Sequence, residues 1–169
     1  MPKPSLERCA TAIGDPLLSD NYQFHFPRIP IGNGDGLLLH CKSATKPGMT
    51  INAVEAQLYG HTIEYAGNLT YGHDLPVSYI ENSRMENTII MEDWSEYAKS
   101  HKSQHGAFKA QYAVPGYLTV FNIDGSVVRE YVIYNCWPGQ VPDTAFDGSS
   151  SSLLTLDMSF KYDWYERRR

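Results

Sequence analysis

Apolar and polar side chains alternate along much of the chain with the two-residue period of β-strands. The first alternating run covers residues 21–26 and the next covers 37–42, with a glycine-rich turn between them, so the two runs predict a hairpin with a loose loop. Residues 51–66 continue the strand pattern with a break at Gly60, and another strand is predicted near 75–80. The first half of the chain therefore favours antiparallel strands.

One segment has helical spacing instead. Ser83 and Glu86 form the S-x-x-E pattern of a capping box, which marks the start of a helix. After it, apolar residues recur at helical spacing, among them Ile90, Trp94 and Tyr97. The pattern predicts a single helix over about 84–100, with its apolar stripe packed on the sheet.

The C-terminal third has the clearest strand pattern. Two strands, 117–123 and 126–134, flank an Asp-Gly pair, which is a strong hairpin signal. Residues 135–152 contain prolines, glycines and a serine run and are predicted to be loop. Residues 154–164 then alternate so regularly that one long strand is expected, with one apolar and one polar face. Such a strand exceeds the usual length and suits a large sheet or a barrel wall.

Composition and charge set limits on this picture. The 169 residues suit one domain, and 14 basic against 19 acidic residues give a net charge of −5. An acidic chain is a poor candidate for gripping nucleic acid, which requires clustered Lys and Arg. No long apolar run is present, so we expect no membrane span and no secretory signal. The three cysteines have no metal-like spacing, which fits a reducing compartment.

No pattern specifies catalysis or a bound cofactor. The glycines of 32–36 mimic a phosphate loop, but we expect no helix after them and favour a hairpin loop. His101 and His105 have the spacing of metal ligands, but the polar residues around them favour a solvent-exposed stretch. Glu92 and Asp93 could be paired carboxylates, but a solvent-exposed helix face is favoured. Residues 167–169 form the one cationic cluster; a solvated end is favoured over a phosphate contact. We therefore predict no catalytic, metal or cofactor site.

Five local strings, taken in order, resemble a known family. They are residues 21–26 (NYQFHF), 39–48 (LHCKSATKPG), 62–67 (TIEYAG, ahead of a helix with MEDW at 91–94), 135–139 (NCWPG) and the strand 154–164. In this order they are similar to the tail tube proteins of contractile-tailed bacteriophages. The likeness covers residues 21–164; the N-terminal arm (1–20), the serine run (149–152) and the C-terminal tail (165–169) depart from it.

The resemblance implies a fold and a function. The fold would be mainly β, a small β-barrel or sandwich of two packed antiparallel sheets with one flanking helix. The protein would be a structural, non-enzymatic subunit with no cofactor, in hexameric rings that stack into a tube inside a contractile sheath. The tube would conduct DNA without binding it specifically. The implied partners are further copies of the chain and the sheath, baseplate, tape-measure and tail terminator proteins.

The resemblance also implies a location, the virion, with assembly in the host cytoplasm. Tube subunits of type VI secretion and of phage-like injection particles, which move proteins, resemble the same family. A β-sandwich that binds carbohydrate through its 12 tyrosines and 3 tryptophans is the alternative from another class. In this sequence the aromatic residues alternate onto faces that read as core, which argues against that alternative.

Two sets of residues are candidates for contacts in the assembly. By analogy with the family's extended hairpin, a loop from about 43 to 59 reaches a neighbouring subunit or ring, and its candidate contact residues are Ala44, Thr45, Lys46, Pro47, Gly48, Met49 and Thr50. The polar face of the last strand is a candidate for the lumen or for a contact between subunits: Asp157, Ser159, Lys161 and Asp163. Six subunits at −5 would carry 6 × −5 = −30 per ring, which repels DNA phosphates and avoids sticking.

Overall fold

The computed structural model of the protein describes residues 5, 8, 11, 12, 14–32, 34–149 and 151–168. Much of the predicted N-terminal arm lies outside these residues, as does Arg169. The helices are α1 (Asp35–His40), α2 (Glu86–Ala98) and α3 (Lys109–Tyr112). The strands are β1 (Tyr22–His25), β2 (Cys41–Ala44), β3 (Met49–Leu58), β4 (His61–Tyr71), β5 (Asp74–Ile80), β6 (Val114–Phe121), β7 (Val127–Gln140), β8 (Thr155–Lys161) and β9 (Trp164–Arg167).

Antiparallel pairing joins most of the strands in the order β1-β6-β7-β8-β5-β2, and β9 also pairs with β7. The long strand β7 belongs to two layers. Its first half pairs with β6 and β9, and its second half pairs with β8. The two layers face each other over one apolar core, so the predicted mainly β fold of two packed antiparallel sheets with a flanking helix is confirmed.

A bend in the paired strands divides the two layers. The predicted single strand over 154–164 is wrong, because β8 ends at Lys161 and the amide of Asp163 donates to the carbonyl of Tyr134 before β9 begins. At the same level of β7, Asn135 adopts a left-handed conformation with φ of 57°. Its side-chain amide donates to Asp163 Oδ2 at 2.7 Å, so both strands turn the corner together.

The predicted hairpin of 21–26 with 37–42 is also wrong. Strand β1 pairs with β6, and residues 35–40 form helix α1. Because three leucines are consecutive here, apolar residues fall on both faces of the predicted strand. The apparent alternation is therefore weak evidence for a strand. In the helix Leu37 is 1% exposed whereas Leu39 is 80% exposed, which the two-residue period does not produce. The region 135–152, predicted as loop, is strand as far as Gln140.

Helix α2 confirms the predicted helix, although its start differs from the prediction. The side chain of Asn82, not that of Ser83, satisfies the first amides: its Oδ1 accepts from the amides of Arg84 at 3.0 Å and Glu86 at 3.2 Å. The amide group of Asn82 in turn donates to the carboxylate of Glu86 at 2.7 Å. These bonds hold the chain ahead of the helix, and the N-cap residue Met85 makes no side-chain capping bond, so the predicted capping box is wrong.

The face that α2 buries agrees with the predicted stripe at Ile90 and Trp94 but not at Tyr97. Asn87, Met91 and Trp94 point to the core, whereas Tyr97 stays exposed. Trp94 is completely buried, and its indole Nε1 donates to the carbonyl of Tyr112 at 2.8 Å. Because a buried indole needs a hydrogen-bond partner, this contact fixes α2 against α3.

Aromatic rings form the centre of the core. Phe26 lies between Trp94 and Phe160, with ring centroids 5.4 Å and 5.0 Å away, and Phe24 packs edge-on against Phe26 at 5.1 Å. Helix α2 therefore closes one opening of the two-layered barrel. Among the described residues, no helix has the length and hydropathy needed to cross a membrane.

Candidate functional site

The β3–β4 hairpin stands outside the barrel. Its strands pair with each other from Met49 opposite Tyr71 to Leu58 opposite His61, and neither strand joins the main sheet. Ten residues at about 3.3 Å each give β3 a length of about 33 Å. The turn at the tip places Tyr59 and Gly60 at positive φ. The hairpin is therefore an arm long enough to reach well beyond its own barrel.

Apart from Tyr71 at the base, which packs against the core, the large apolar side chains of this hairpin are exposed. A two-stranded hairpin alone is marginally stable in water, and an exposed apolar surface of this kind marks a contact site. The large apolar side chains that are at least 40% exposed are Met49, Ile51, Val54, Leu58, Tyr59, Ile63, Tyr65 and Leu69.

The two faces of the hairpin differ in chemistry. Val54 lies opposite Tyr65 on one face, whereas Glu55 lies opposite Glu64 on the other. Like charges directly across a strand pair are destabilising, and residues 49–71 contain no Lys or Arg to offset them. The hairpin thus offers an apolar face and an acidic face.

A bulge shapes the hairpin near its middle. The register shifts between Ile51 and Ala53, and Gly67 lies opposite the shift. A Cβ at Gly67 would lie 2.6 Å from Val54 Cγ2 and 2.8 Å from the carbonyl oxygen of Asn52. Glycine at this position lets the two strands approach closely through the bulge.

The predicted contact loop, residues 44–50, lies at the base of this arm. Ala44 ends β2, residues 45–48 connect the strands, and Met49 and Thr50 open β3. The ammonium of Lys46 lies 5.5 Å from the ring centroid of Tyr131, which ties the base to the barrel. The predicted segment of about 43–59 therefore covers the base of the arm and the whole of β3, and its role in contacts stays a prediction.

The second candidate surface is the outer face of β5 and β8. Asp157, Ser159 and Lys161 follow one another at every second position on β8. The hydroxyl of Ser78 donates to Asp157 Oδ1 at 2.6 Å, and Lys161 pairs with Asp74. The bond from Lys161 holds the pKa of Asp74 below its usual value. This face is a hydrogen-bonded polar surface that carries both signs of charge.

Asp163, predicted with this set, lies elsewhere. It sits in the bend after β8, where Lys109 Nζ contacts its two carboxylate oxygens at 2.7 and 2.6 Å. The bond from Lys109 and then that from Asn135 lower the pKa of Asp163. The structure therefore brings together Asp157, Ser159 and Lys161 but not Asp163.

The motifs weighed for bound ions have local roles. His101 Nδ1 lies 2.8 Å from a carboxylate oxygen of Glu96, and the described part of the chain holds no group of three His, Cys, Asp or Glu side chains suited to a metal.

A six-residue helix, α1, does follow the glycines of 32–36, contrary to the prediction. Gly34 is needed for packing there, since a Cβ would lie 2.5 Å from the carbonyl oxygen of Phe26. The predicted solvated tail is strand as far as Arg167, which pairs with Tyr131.

One exposed aromatic pair lies on the layer that β7 forms with β6 and β9. The rings of Tyr134 and Trp164 stack in parallel with centroids 4.0 Å apart. Trp164 is 37% exposed, although the alternation predicted it to face the core with Phe160 and Tyr162. Each ring covers a face of the other, so the pair is a poor platform for a sugar.

One protein-family model matches nearly the whole chain. Residues 18–168 match the family model described as phage tail tube protein. No curated protein matches the chain significantly. Among solved structures, the fold is similar to a chain in the PVC sheath/tube terminator of an extracellular contractile injection system in the extended state, with 10% identity and a TM-score of 0.68 over 93% of this chain and 99% of that one.

Two further solved structures have similar folds. A chain in the six-fold symmetrised baseplate of the anti-feeding prophage has 11% identity and a TM-score of 0.68, over 91% of this chain and 96% of that one. A chain in the PVC sheath-tube complex in the extended state has 11% identity and a TM-score of 0.64, over 98% and 99%. At these identities the likeness shows the fold.

Proposed function

Because this chain belongs to the phage tail tube protein family, we propose that it is the subunit of a tail tube, built from stacked hexameric rings inside a contractile sheath. Its function is self-assembly, without catalysis and without a cofactor. The tube is the conduit through which DNA leaves the particle and enters the host.

The hairpin is the observation that carries this proposal. Its exposed apolar side chains lie outside the barrel, where in a single copy they contact water and one another across the strand pair. Burying them against a neighbouring copy removes an unfavourable exposure and supplies the support that an isolated hairpin lacks. The base of the arm, residues 44–50, and the hairpin itself form the contacts to the next subunit or ring.

Ring closure also resolves a second feature. Strands β1 and β2 end the order of the main sheet, so each leaves an edge unpaired within the described sheet. A closed ring lets neighbouring copies cover such edges. The six-fold symmetry of the anti-feeding prophage baseplate, which contains a chain of similar fold, supports a ring of six.

Charge and surface chemistry suggest which face lines the channel. At −5 per subunit, a ring of six carries 6 × −5 = −30. In this proposal Asp157, Ser159 and Lys161 face the lumen, where a polar surface of mixed charge gives phosphates no cationic cluster to bind. DNA then passes through without specific binding.

The partners follow from this role. They are further copies of the chain, the sheath around the tube, the baseplate, the tape-measure protein and the tail terminator. The similar folds in a sheath-tube complex and in a baseplate support the sheath and the baseplate. The protein is then a component of the virion tail that assembles in the host cytoplasm.

Electron microscopy of the purified protein at high concentration tests the proposal. Rings with six-fold averages, and tubes once baseplate components are added, are the expected result. Protein that remains monomeric under both conditions contradicts a tube subunit.

A charge reversal tests the lumen assignment. Asp157→Lys should slow DNA ejection from particles with intact tubes, because a new cation in the channel attracts phosphates. Glu92→Lys makes the same charge change on the exposed side of α2 and is the matched control. Equal ejection rates for both variants and the wild type would remove Asp157 from the lumen.

A tube that carries protein is the second candidate. The similar solved structures come from an extracellular contractile injection system and from the anti-feeding prophage, which favours such a particle; a type VI secretion tube belongs to the same candidate. Nuclease protection separates the two functions. DNA protected inside purified particles supports the phage tail, and protein cargo without protected DNA supports the injection particle.

A further inference from the structure

The tip of the hairpin carries an aromatic side chain in an unfavourable position. Tyr59 is 101% exposed, and its φ is 50°. Its neighbour Gly60 also has positive φ, which makes this a turn that normally takes Asn or Gly at both places. A bulky residue in the left-handed region is strained, and such strain persists where function requires it. Tyr59 therefore has the properties of an anchor for a partner.

A groove elsewhere on the same molecule suits such an anchor. It lies between the end of β1, the end of α2 and the start of β6, and it has a volume of about 410 Å³. Proline rings and a half-exposed tyrosine dominate its walls, and one cation lies at its rim. We call this surface the proline groove; the lining residues used here are Pro27, Arg28, Pro30, Tyr97, Val114 and Pro115.

Charge distinguishes this groove from another open groove. The hairpin carries Glu55 and Glu64 and no Lys or Arg, whereas the proline groove is lined by Arg28 and by no carboxylate. A larger groove beside the 142–153 loop is lined by Asp143, Asp147 and Asp157, which would repel the hairpin. Electrostatic complementarity therefore favours the proline groove as the place where the hairpin docks.

We propose that Tyr59 of one copy inserts into the proline groove of a second copy, as the anchor of the contact between tube subunits. The contact is between copies because Tyr59 is fully exposed within its own chain. The assignment rests on the proposed tube function and specifies the residue and the surface that the contact uses. An exposed aromatic ring that enters a pocket of its partner is the usual form of an interface hot spot.

The base of the arm and the groove also lie at different levels of the barrel. The base contacts Tyr131 through Lys46, whereas Val114 in the groove pairs with Cys136. Five residues of β7 separate these two positions, and the strand bends between them at Asn135. Donor and acceptor surfaces at different levels make a head-to-tail contact, which can repeat along a stack of copies.

A substitution at the tip separates anchoring from folding. Tyr59→Asn removes the ring and places a residue that tolerates the left-handed conformation, so the hairpin itself should keep or gain protection from amide exchange. Assembly should then need at least about 10-fold more protein, as expected for loss of a hot spot. The matched control is Phe146→Asn, which removes an exposed aromatic ring from another loop and should leave assembly unchanged. Unchanged assembly of Tyr59→Asn overturns the proposal.

Cross-linking identifies the acceptor surface. Unlabelled chains that carry a photoreactive phenylalanine derivative at position 59 are mixed with an equal amount of ¹⁵N-labelled wild-type chains and allowed to assemble. Cross-linking should yield peptide pairs in which one peptide is unlabelled and the other is ¹⁵N-labelled. The labelled peptide should contain residues 27–30 or 110–115. A link to another segment, a link within one chain or a link to a sheath protein each overturns the assignment. Failure of the unmodified protein to form rings or tubes contradicts the proposed function itself, so the two failures are distinguishable.

Discussion

The barrel and the β3–β4 hairpin are built from the same antiparallel ladders, yet they differ in what their side chains pack against. In the barrel, Trp94 and Phe160 are fully buried. In the hairpin, Val54 and Tyr65 lie opposite each other and are each more than half exposed. Both regions form antiparallel backbone ladders, so the ladders themselves do not account for the difference.

The comparison shows that a strand pattern has two possible uses. A face that meets another layer of the same chain contributes to the stability of the monomer. A face that meets only water contributes nothing until a partner arrives, and then contributes to association. Substitutions in the barrel should therefore change folding, and substitutions in the hairpin should change assembly.

The largest effect is expected in the barrel core. Trp94→Ala should lower the free energy of unfolding by about 4 kcal/mol, because it leaves a cavity and removes the hydrogen bond to the carbonyl of Tyr112. Urea denaturation followed by circular dichroism measures this. Tyr97→Ala, in the same helix but exposed, is the control and should cost less than about 1 kcal/mol. Equal losses in the two variants would contradict the assignment of Trp94 to the core.

A smaller effect is expected at the bend between the layers. Asp163→Asn should cost about 1 kcal/mol at pH 7, since it weakens a contact with Lys109 that is partly screened by solvent. Asp93→Asn, on the exposed face of α2, is the matched control and should change stability by less than about 0.5 kcal/mol.

Acid should remove this difference between wild type and Asp163→Asn. The pKa of Asp163 is lowered in the folded protein, so its contribution is complete above its unfolded-state pKa of about 3.9 and is lost as the pH falls through the folded-state pKa. Denaturation curves from pH 7 down to pH 3 measure this. A stability difference that persists undiminished at the acid end would show that the Asp163 charge is not its source.

The smallest effect on the monomer is expected in the hairpin. Val54→Thr and Ile63→Thr should each change the unfolding free energy by less than about 0.5 kcal/mol, because both side chains are already exposed and Thr keeps the β-branched shape. Tube formation, measured by sedimentation and electron microscopy, should nevertheless fall.

The control for the hairpin variants lies on its opposite face. Gln57→Thr, next to the acidic pair, should leave assembly near the wild-type level if the apolar face makes the contact. Loss of monomer stability in the Val54 and Ile63 variants would mean that the hairpin packs on its own barrel.

Sequence patterns correctly predicted those elements whose pattern fits only one kind of secondary structure. The Asp124–Gly125 hairpin and helix α2 are present, and strands cover most of the predicted runs. The family strings of residues 21–164 also predicted the family. Errors arose where a pattern fits two structures: Leu37 and its neighbours fit a helix as well as a strand, and the Ser83–Glu86 pattern matched a capping box although Met85 is the N-cap of α2.

The chain alone determined the strand-rich class, the acidic charge and the absence of recognisable catalytic motifs, because these follow from local alternation and from composition. Only the tertiary structure decided that residues 154–164 bend at Asp163 and that most large apolar side chains of β3 and β4 stay exposed outside the barrel. The physical reason is that alternation fixes which side chains share a face, whereas the long-range pairing of strands fixes what that face meets.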